Sequence, residues 1–209
     1  MATRPIQQAA LVFVLAGVTA ACGASRPVKY YVLDTEPAPV NAPQGPVTLL
    51  VARISTTHLY HDDRLVYGYG PVQLGTYEYE RWAESPADMM QEKLLSYLRA
   101  SGTYRSVLAT NSIARGDYIV RGHLYALDEI DAPSLAARFS FQLELVDPKS
   151  GVIVWSDSYS HDEPVGGKGK KVSDVVEALD RDVSAGLAQL TGKMGQYIAS
   201  HPAEASAER

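Results

Sequence analysis

Two hydrophobic periods divide the chain. From Phe139 to Leu145, apolar Phe139, Phe141, Leu143 and Leu145 alternate with Ser140, Gln142 and Glu144, the pattern of a strand with one buried face. From Val172 to Ile198 the period is helical, and Val172, Val176, Leu179, Val183, Leu187, Leu190, Met194 and Ile198 form one apolar stripe. A shorter helix is predicted over residues 86–101. Met90, Leu94 and Leu98 share a face there, Ser85 is placed to cap it, and Pro86 suits its first position. Asp88 completes a capping box and Gly102 suits the exit. Strand character recurs at residues 29–34, 47–55, 64–70, 72–80, 103–109 and 116–130. In the last of these Tyr118, Val120, Leu124 and Ala126 face one way, and Arg121 and His123 the other. Residues 134–160 read as an antiparallel hairpin turned at DPKSG, where Pro148 and Gly151 favour the bend. Strands, helix, strands and a long helix predict an α+β fold: a mainly antiparallel sheet with two helices packed on one face.

Ahead of these elements, residues 6–21 are apolar apart from Gln7, Gln8 and Thr19 and follow a short start containing Arg4. The run is shorter than the roughly 20 residues that span a bilayer, and it reads as a signal peptide. Its end admits two readings. One is cleavage at an Ala-x-Ala type site, or retention as an anchor. The other is a bacterial lipobox, with Ala20, Ala21 and Cys22 in its last three places, Gly23 behind, and Thr19 where Leu, Val or Ile is usual. In such signals the thiol receives a diacylglycerol and cleavage leaves the acylated cysteine as the first residue. Each buried acyl CH₂ contributes about 0.8 kcal/mol, so several chains on one cysteine anchor firmly. Gly23, in place of the Asp of an inner-membrane retention signal, favours the outer membrane. The predicted layout is a lipoprotein signal peptide (1–21), a lipidated tether (22–29), a single domain (30–200) and a loose tail (201–209).

Composition narrows the function further. A chain of 209 residues, 46% hydrophobic, suits one domain with a substantial core. The net charge of −5 gives no general attraction for phosphates, and no nucleic-acid partner is expected. Cys22 is the single cysteine, so no internal disulfide forms. His58, His61, Asp62 and Asp63 lie close enough to suggest metal ligands, but one short cluster without a spaced partner reads as a polar loop. GGKGKK, residues 166–171, lacks the spacing and the Ser or Thr of a phosphate loop. No G-x-S-x-G elbow occurs. No catalytic residue, metal or cofactor is expected. Tyr67, Tyr69, Tyr77 and Tyr79 either cover the core with their hydroxyls in solvent or line a groove for an amphiphile or partner.

Four stretches, in order, carry a resemblance. They are YYVLD soon after Cys22; ERWAESP leading into the first helix; DYIVRGHLYAL followed by FQLELVDPKSGVIVW; and the terminal helix behind a glycine-rich loop. Together they resemble the ABC-type transport auxiliary lipoproteins, the PqiC-like family that accompanies MCE lipid-transport systems. His58 to Val66 follows that family's early YLDRPQIV-like run in outline, with Tyr60, Asp63 and Arg64 roughly in place and the Pro-Gln missing. The resemblance implies a non-enzymatic lipoprotein on the periplasmic face of the outer membrane, docking on an MCE-domain protein and able to form rings of its own copies. Tyr60, Arg64, Arg81 and Trp82 are the residues it marks for partner or lipid contact. A different role, assisting assembly of a β-barrel or of lipopolysaccharide export, remains the alternative.

Overall fold

The computed structural model of the chain describes residues 26–40, 43–70, 72–110, 115–131, 133–166 and 171–201. The signal segment, Cys22 and most of GGKGKK lie outside them. Nine strands and two helices are seen among the described residues: β1 (Lys29–Tyr31), β2 (Thr48–Val51), β3 (Ser55–Thr56), β4 (Arg64–Gly68), β5 (Leu74–Trp82), α1 (Pro86–Ala100), β6 (Ser106–Ala109), β7 (Tyr118–Asp131), β8 (Leu135–Val146), β9 (Ile153–Pro164) and α2 (Val172–Ser200). No helix among these residues is long and apolar enough to cross a membrane.

The long β7 organises the sheet. Along one edge it pairs antiparallel with β8, which pairs antiparallel with β9 around the DPKSG turn, where Gly151 has φ 72°. Along the other edge β2, β3 and β4 pair with it in succession, all parallel. β6 extends the sheet beyond β2 in parallel; β5 extends it beyond β4 antiparallel, and β1 lies parallel against β5.

The α+β class and the two helices match the sequence pattern, whereas the sheet is mixed and not mainly antiparallel. Alternation reports which face of a strand is buried; it carries no information on a neighbour's direction unless a tight turn joins the two. The β4–β5, β7–β8 and β8–β9 connections are short hairpins, whereas longer stretches of chain separate the parallel partners, which left no local trace. A second departure sits inside β7. The register steps from Leu124↔Phe141 to Ala126↔Ser140, leaving Tyr125 as a bulge. Ala126, expected beside Leu124, therefore pairs with Ser140, and Leu127 takes the core place opposite Phe139.

The core follows the two periods. Phe139, Phe141, Leu143 and Leu145 are fully buried, as are Leu179, Val183, Leu187, Leu190 and Met194 of α2, which packs over β8 and β9. Burying each such side chain contributes about 1.5–3 kcal/mol. Met90, Leu94 and Leu98 of α1 complete the layer. Ser85 Oγ accepts from the Asp88 amide at 3.3 Å and donates to the Asp88 carboxylate at 2.7 Å, so the cap is made as the sequence suggests.

Candidate functional site

Of the four residues marked by the resemblance, Tyr60 and Trp82 lie inside the protein at 2% and 1% exposure, and Arg64 and Arg81 lie nearer the surface. A single 3₁₀ turn, His58–Tyr60, carries Tyr60 down against β7. Its hydroxyl donates to Asp128 Oδ2 at 2.6 Å, and Arg138 reaches both oxygens of that carboxylate at 2.9 Å. Burial and the Asp128 charge push the Tyr60 phenol well above its ordinary range. The turn is thus fastened to the sheet, and its outer residues are held in place. Arg81 Nη1 reaches Asp63 at 2.8 and 3.1 Å, while Arg64 faces Asp62 at 3.6 Å. Burial alone would raise the Asp63 carboxyl; hydrogen bonds from its neighbours, Arg81 among them, outweigh it and hold the group low. Both aspartates thus pair with arginines, and among the described residues no three His, Cys, Asp or Glu side chains converge on a metal-sized site.

A second site was not foreseen. Between β1 and β2 the proline-bearing residues 35–40 and 43–47 lie as a strap over both helices. At its start Thr35 donates from its amide to Asp180 Oδ1 at 2.9 Å, and Lys93 Nζ donates to the Thr35 carbonyl at 2.8 Å. Farther on, the Val40 amide donates to the Ala100 carbonyl at 2.8 Å and that of Gly45 to the Thr103 carbonyl at 2.9 Å. Gln44 Nε2 adds bonds to the carbonyls of Tyr104 and Arg105 at 3.3 and 3.1 Å. Strap, α1 end and the C-terminal half of α2 border a half-open cleft of about 1120 Å³, large beside the ~300–1,000 Å³ of most ligand sites. The wall supplied by α2 carries a row of small side chains, Ser184, Ala188, Gly192, Gly195 and Ala199, beside Gln196 and Ile198.

Hydroxyls in that wall are already engaged. Ser184 Oγ and Tyr97 Oη are 2.7 Å apart, Thr191 Oγ1 donates to the Leu187 carbonyl at 2.7 Å, and Ser101 Oγ to the Leu98 carbonyl at 2.7 Å. Burial pushes the Tyr104 and Tyr97 phenols upward. The cleft therefore offers mostly carbon to an occupant.

The remaining clusters are smaller. Tyr67 packs edge-on against Tyr69 and Tyr77, with ring centroids 5.4 and 4.9 Å apart, while Tyr79 lies under Arg26 instead. The neighbouring hairpin tip exposes Val72 at 93% and Tyr69 at 60%. Ser55 Oγ and His123 Nδ1 are 2.7 Å apart on the exposed sheet face, but among the described residues no carboxylate orients that imidazole as a catalytic base requires. On α2, Asp182 is buried and takes hydrogen bonds from Tyr159 at 2.7 Å and His161 at 2.9 Å. Desolvation raises its carboxyl despite them.

Comparison with solved structures recovers the architecture. A Xanthomonas campestris protein is 21% identical, with a TM-score of 0.74 over 83% of this chain and 99% of its own. A hypothetical protein of Chlamydia trachomatis, 7% identical, has a TM-score of 0.50 over 75% of this chain and 99% of its own. Among curated proteins none matches. The model of one protein family covers residues 31–194, which takes in the fastened turn, the strap and most of α2, and the chain belongs to that family, the ABC-type transport auxiliary lipoprotein components.

Proposed function

We propose that this protein is a non-catalytic lipoprotein, anchored through acylated Cys22 on the periplasmic face of the outer membrane. It serves as an accessory component of an ABC/MCE-type system that moves phospholipid between the two membranes. The observation that carries the reading is the family match over residues 31–194, directly behind a lipobox-like end at Cys22. Residues 1–21 are then removed as the signal, and residues 22–29 form the tether. With β1 starting at Lys29, that tether holds the domain close to the bilayer.

Docking on the MCE-domain protein is assigned to the turn around Tyr60 and to the Arg64 and Arg81 surface beside it. Tyr60 and Trp82 support that surface from beneath. The surface carries the paired charges of Arg64 with Asp62 and Arg81 with Asp63, as suits a polar docking contact, and ATP hydrolysis belongs to another subunit.

Affinity purification of the tagged full-length protein from membranes tests this reading. An MCE-domain protein with its permease and ATPase is the expected company; a β-barrel or lipopolysaccharide-export component without them moves the assignment to assembly. Cys22→Ser is expected to accumulate unprocessed precursor that takes up no labelled fatty acid, and normal labelling of that variant overturns the anchor.

A further inference from the structure

The cleft beneath the strap has no part in the docking surface, and its chemistry selects an occupant. We propose that it holds one acyl chain of an anionic phospholipid, with the headgroup at Arg105; the inference rests on the lipid-transport reading for the source of the ligand.

Three features converge on this. The first is shape. The α2 wall runs from Ser184 to Ala199, about 22 Å at 1.5 Å per residue. One acyl chain spans about half of the ~30 Å hydrocarbon core of a bilayer and fits within that length. A row of small residues leaves a trough along the helix, and at Gly192 there is nothing within 4 Å of where a Cβ would stand.

The second is polarity. Tyr97, Ser184, Thr191 and Ser101 spend their hydroxyls on one another or on helix carbonyls, so a polar ligand entering the trough would lose water and gain little. A hydrocarbon chain loses nothing there.

The third is charge. Tyr104 adjoins Gly195, which puts Arg105 at the end of the trough nearest the α2 C-terminus. Arg105 is exposed, and among the described residues its guanidinium makes no ion pair. Asp117 also lines the cleft and keeps its charge while accepting from the Thr48 amide at 2.7 Å, and Glu36 lies with the strap's first residues, next to Thr35 and its anchor on Asp180. One end of a mostly apolar trough thus carries a cation that makes no ion pair among the described residues and is suited to phosphate.

The test uses the full-length lipoprotein in cells grown on radiolabelled phosphate, with the photoreactive residue benzoylphenylalanine at Gly192 or, as a control on the exposed face of β9, at Ser160. The acyl anchor on Cys22 carries no phosphate, so label on the protein reports a phospholipid held in the cleft. Irradiation is expected to label the Gly192 derivative and not the Ser160 one. Adding Ala188→Trp, which fills the trough, or Arg105→Glu, which reverses the charge at an exposed site without touching the core, is expected to return label to the Ser160 background. Equal label at both sites, a protein adduct at Gly192, or undiminished label in either variant overturns the proposal. Lost labelling with copurification intact removes the lipid site and leaves the accessory role; labelling without the transport partners leaves a lipid-binding protein outside such a system.

Discussion

Two glycines six residues apart in α2 give opposite outcomes for one substitution. At Gly186 a Cβ would stand 2.7 Å from Tyr159 Cδ1 and 2.8 Å from Phe139 Cε1, closer than carbon atoms approach. Neither ring retreats easily, because Phe139 is fully buried and the Tyr159 hydroxyl is tied to Asp182 at 2.7 Å. At Gly192 the same atom meets nothing within 4 Å. Replacing glycine by alanine within a helix gains about 1 kcal/mol of backbone propensity at either site. Overpacking a fitted core costs about 1–3 kcal/mol, and only Gly186 incurs it. Gly192→Ala is therefore expected to stabilise by about 0.5–1 kcal/mol, and Gly186→Ala to be neutral or destabilising by up to about 2 kcal/mol. The propensity term cancels between the two variants, so their difference, about 1–3 kcal/mol, reports the close approach of α2 to β8 and β9. Urea unfolding of residues 23–209 followed by circular dichroism measures it, and each kcal/mol moves the thermal midpoint by about 2–4 °C in a domain of this size. Equal stabilities for the two variants would refute the packing of α2 on those rings.

Other expectations concern buried hydrogen bonds and the carboxyl groups that titrate. Tyr60→Phe removes a hydrogen bond to a buried carboxylate and is expected to cost about 1.5–3 kcal/mol; Arg138→Ala, which leaves Asp128 without its cation, costs about 3 kcal/mol, the low end for a pair whose arginine is part-exposed. Urea titration of each variant checks both. Burial would lift the Glu80 carboxyl, but hydrogen bonds from Tyr31 at 2.7 Å and Lys29 at 3.0 Å hold it below the usual range. A lowered folded pKa contributes stability above the ordinary glutamate value that is lost as pH falls through the folded one, so β1 is expected to open first in acid, read as faster amide exchange at Ala83, whose amide is bonded to the Tyr31 carbonyl. Asp182 has the opposite sign. Its raised carboxyl favours folding below the ordinary aspartate value and loses that advantage as pH rises through the folded one, so Asp182→Asn is expected to compare better with wild type near pH 7 than near pH 4.

The elements were legible wherever burial imposed a period. The α2 stripe, the β8 alternation and the Ser85 cap all stand where their residues predicted, because each is enforced by local backbone geometry and one buried face. The sheet's parallel pairs were not, since β2, β3 and β4 meet β7 across long stretches of intervening chain. The placement of the four residues marked for partner contact was half legible. Their neighbourhood in sequence marked the turn, but Tyr60 and Trp82 are apolar bodies with one polar tip, and such residues look alike in sequence whether they face a partner or the core. Asp128 and Arg138, which bury the Tyr60 hydroxyl, lie far along the chain on β7 and β8 and carry no local signal of that contact.

The cleft escaped notice for a different reason, and the reason bears on how it is built. Ser184, Ala188, Thr191, Gly195 and Ala199 each stand one position after a residue of the apolar stripe, namely Val183, Leu187, Leu190, Met194 and Ile198. Advancing one position turns the helix by about 100°, from the face that packs on the sheet to a flank beside it. Small or hydroxylated residues on a helix flank ordinarily read as solvent-facing, and the proline-rich segment 35–47 ordinarily reads as a loop. Neither pattern implies a cavity. Together they make one, because hydrogen bonds from Thr35, Val40, Gln44 and Gly45 hold the strap across the two helices while the small row leaves room beneath it. An ordinary helix flank would carry large side chains there and close the gap, so replacing Ala188 or Gly192 with a bulky residue is expected to fill the cleft with little loss of fold stability. A space that can be filled without disturbing the core is one the core does not require.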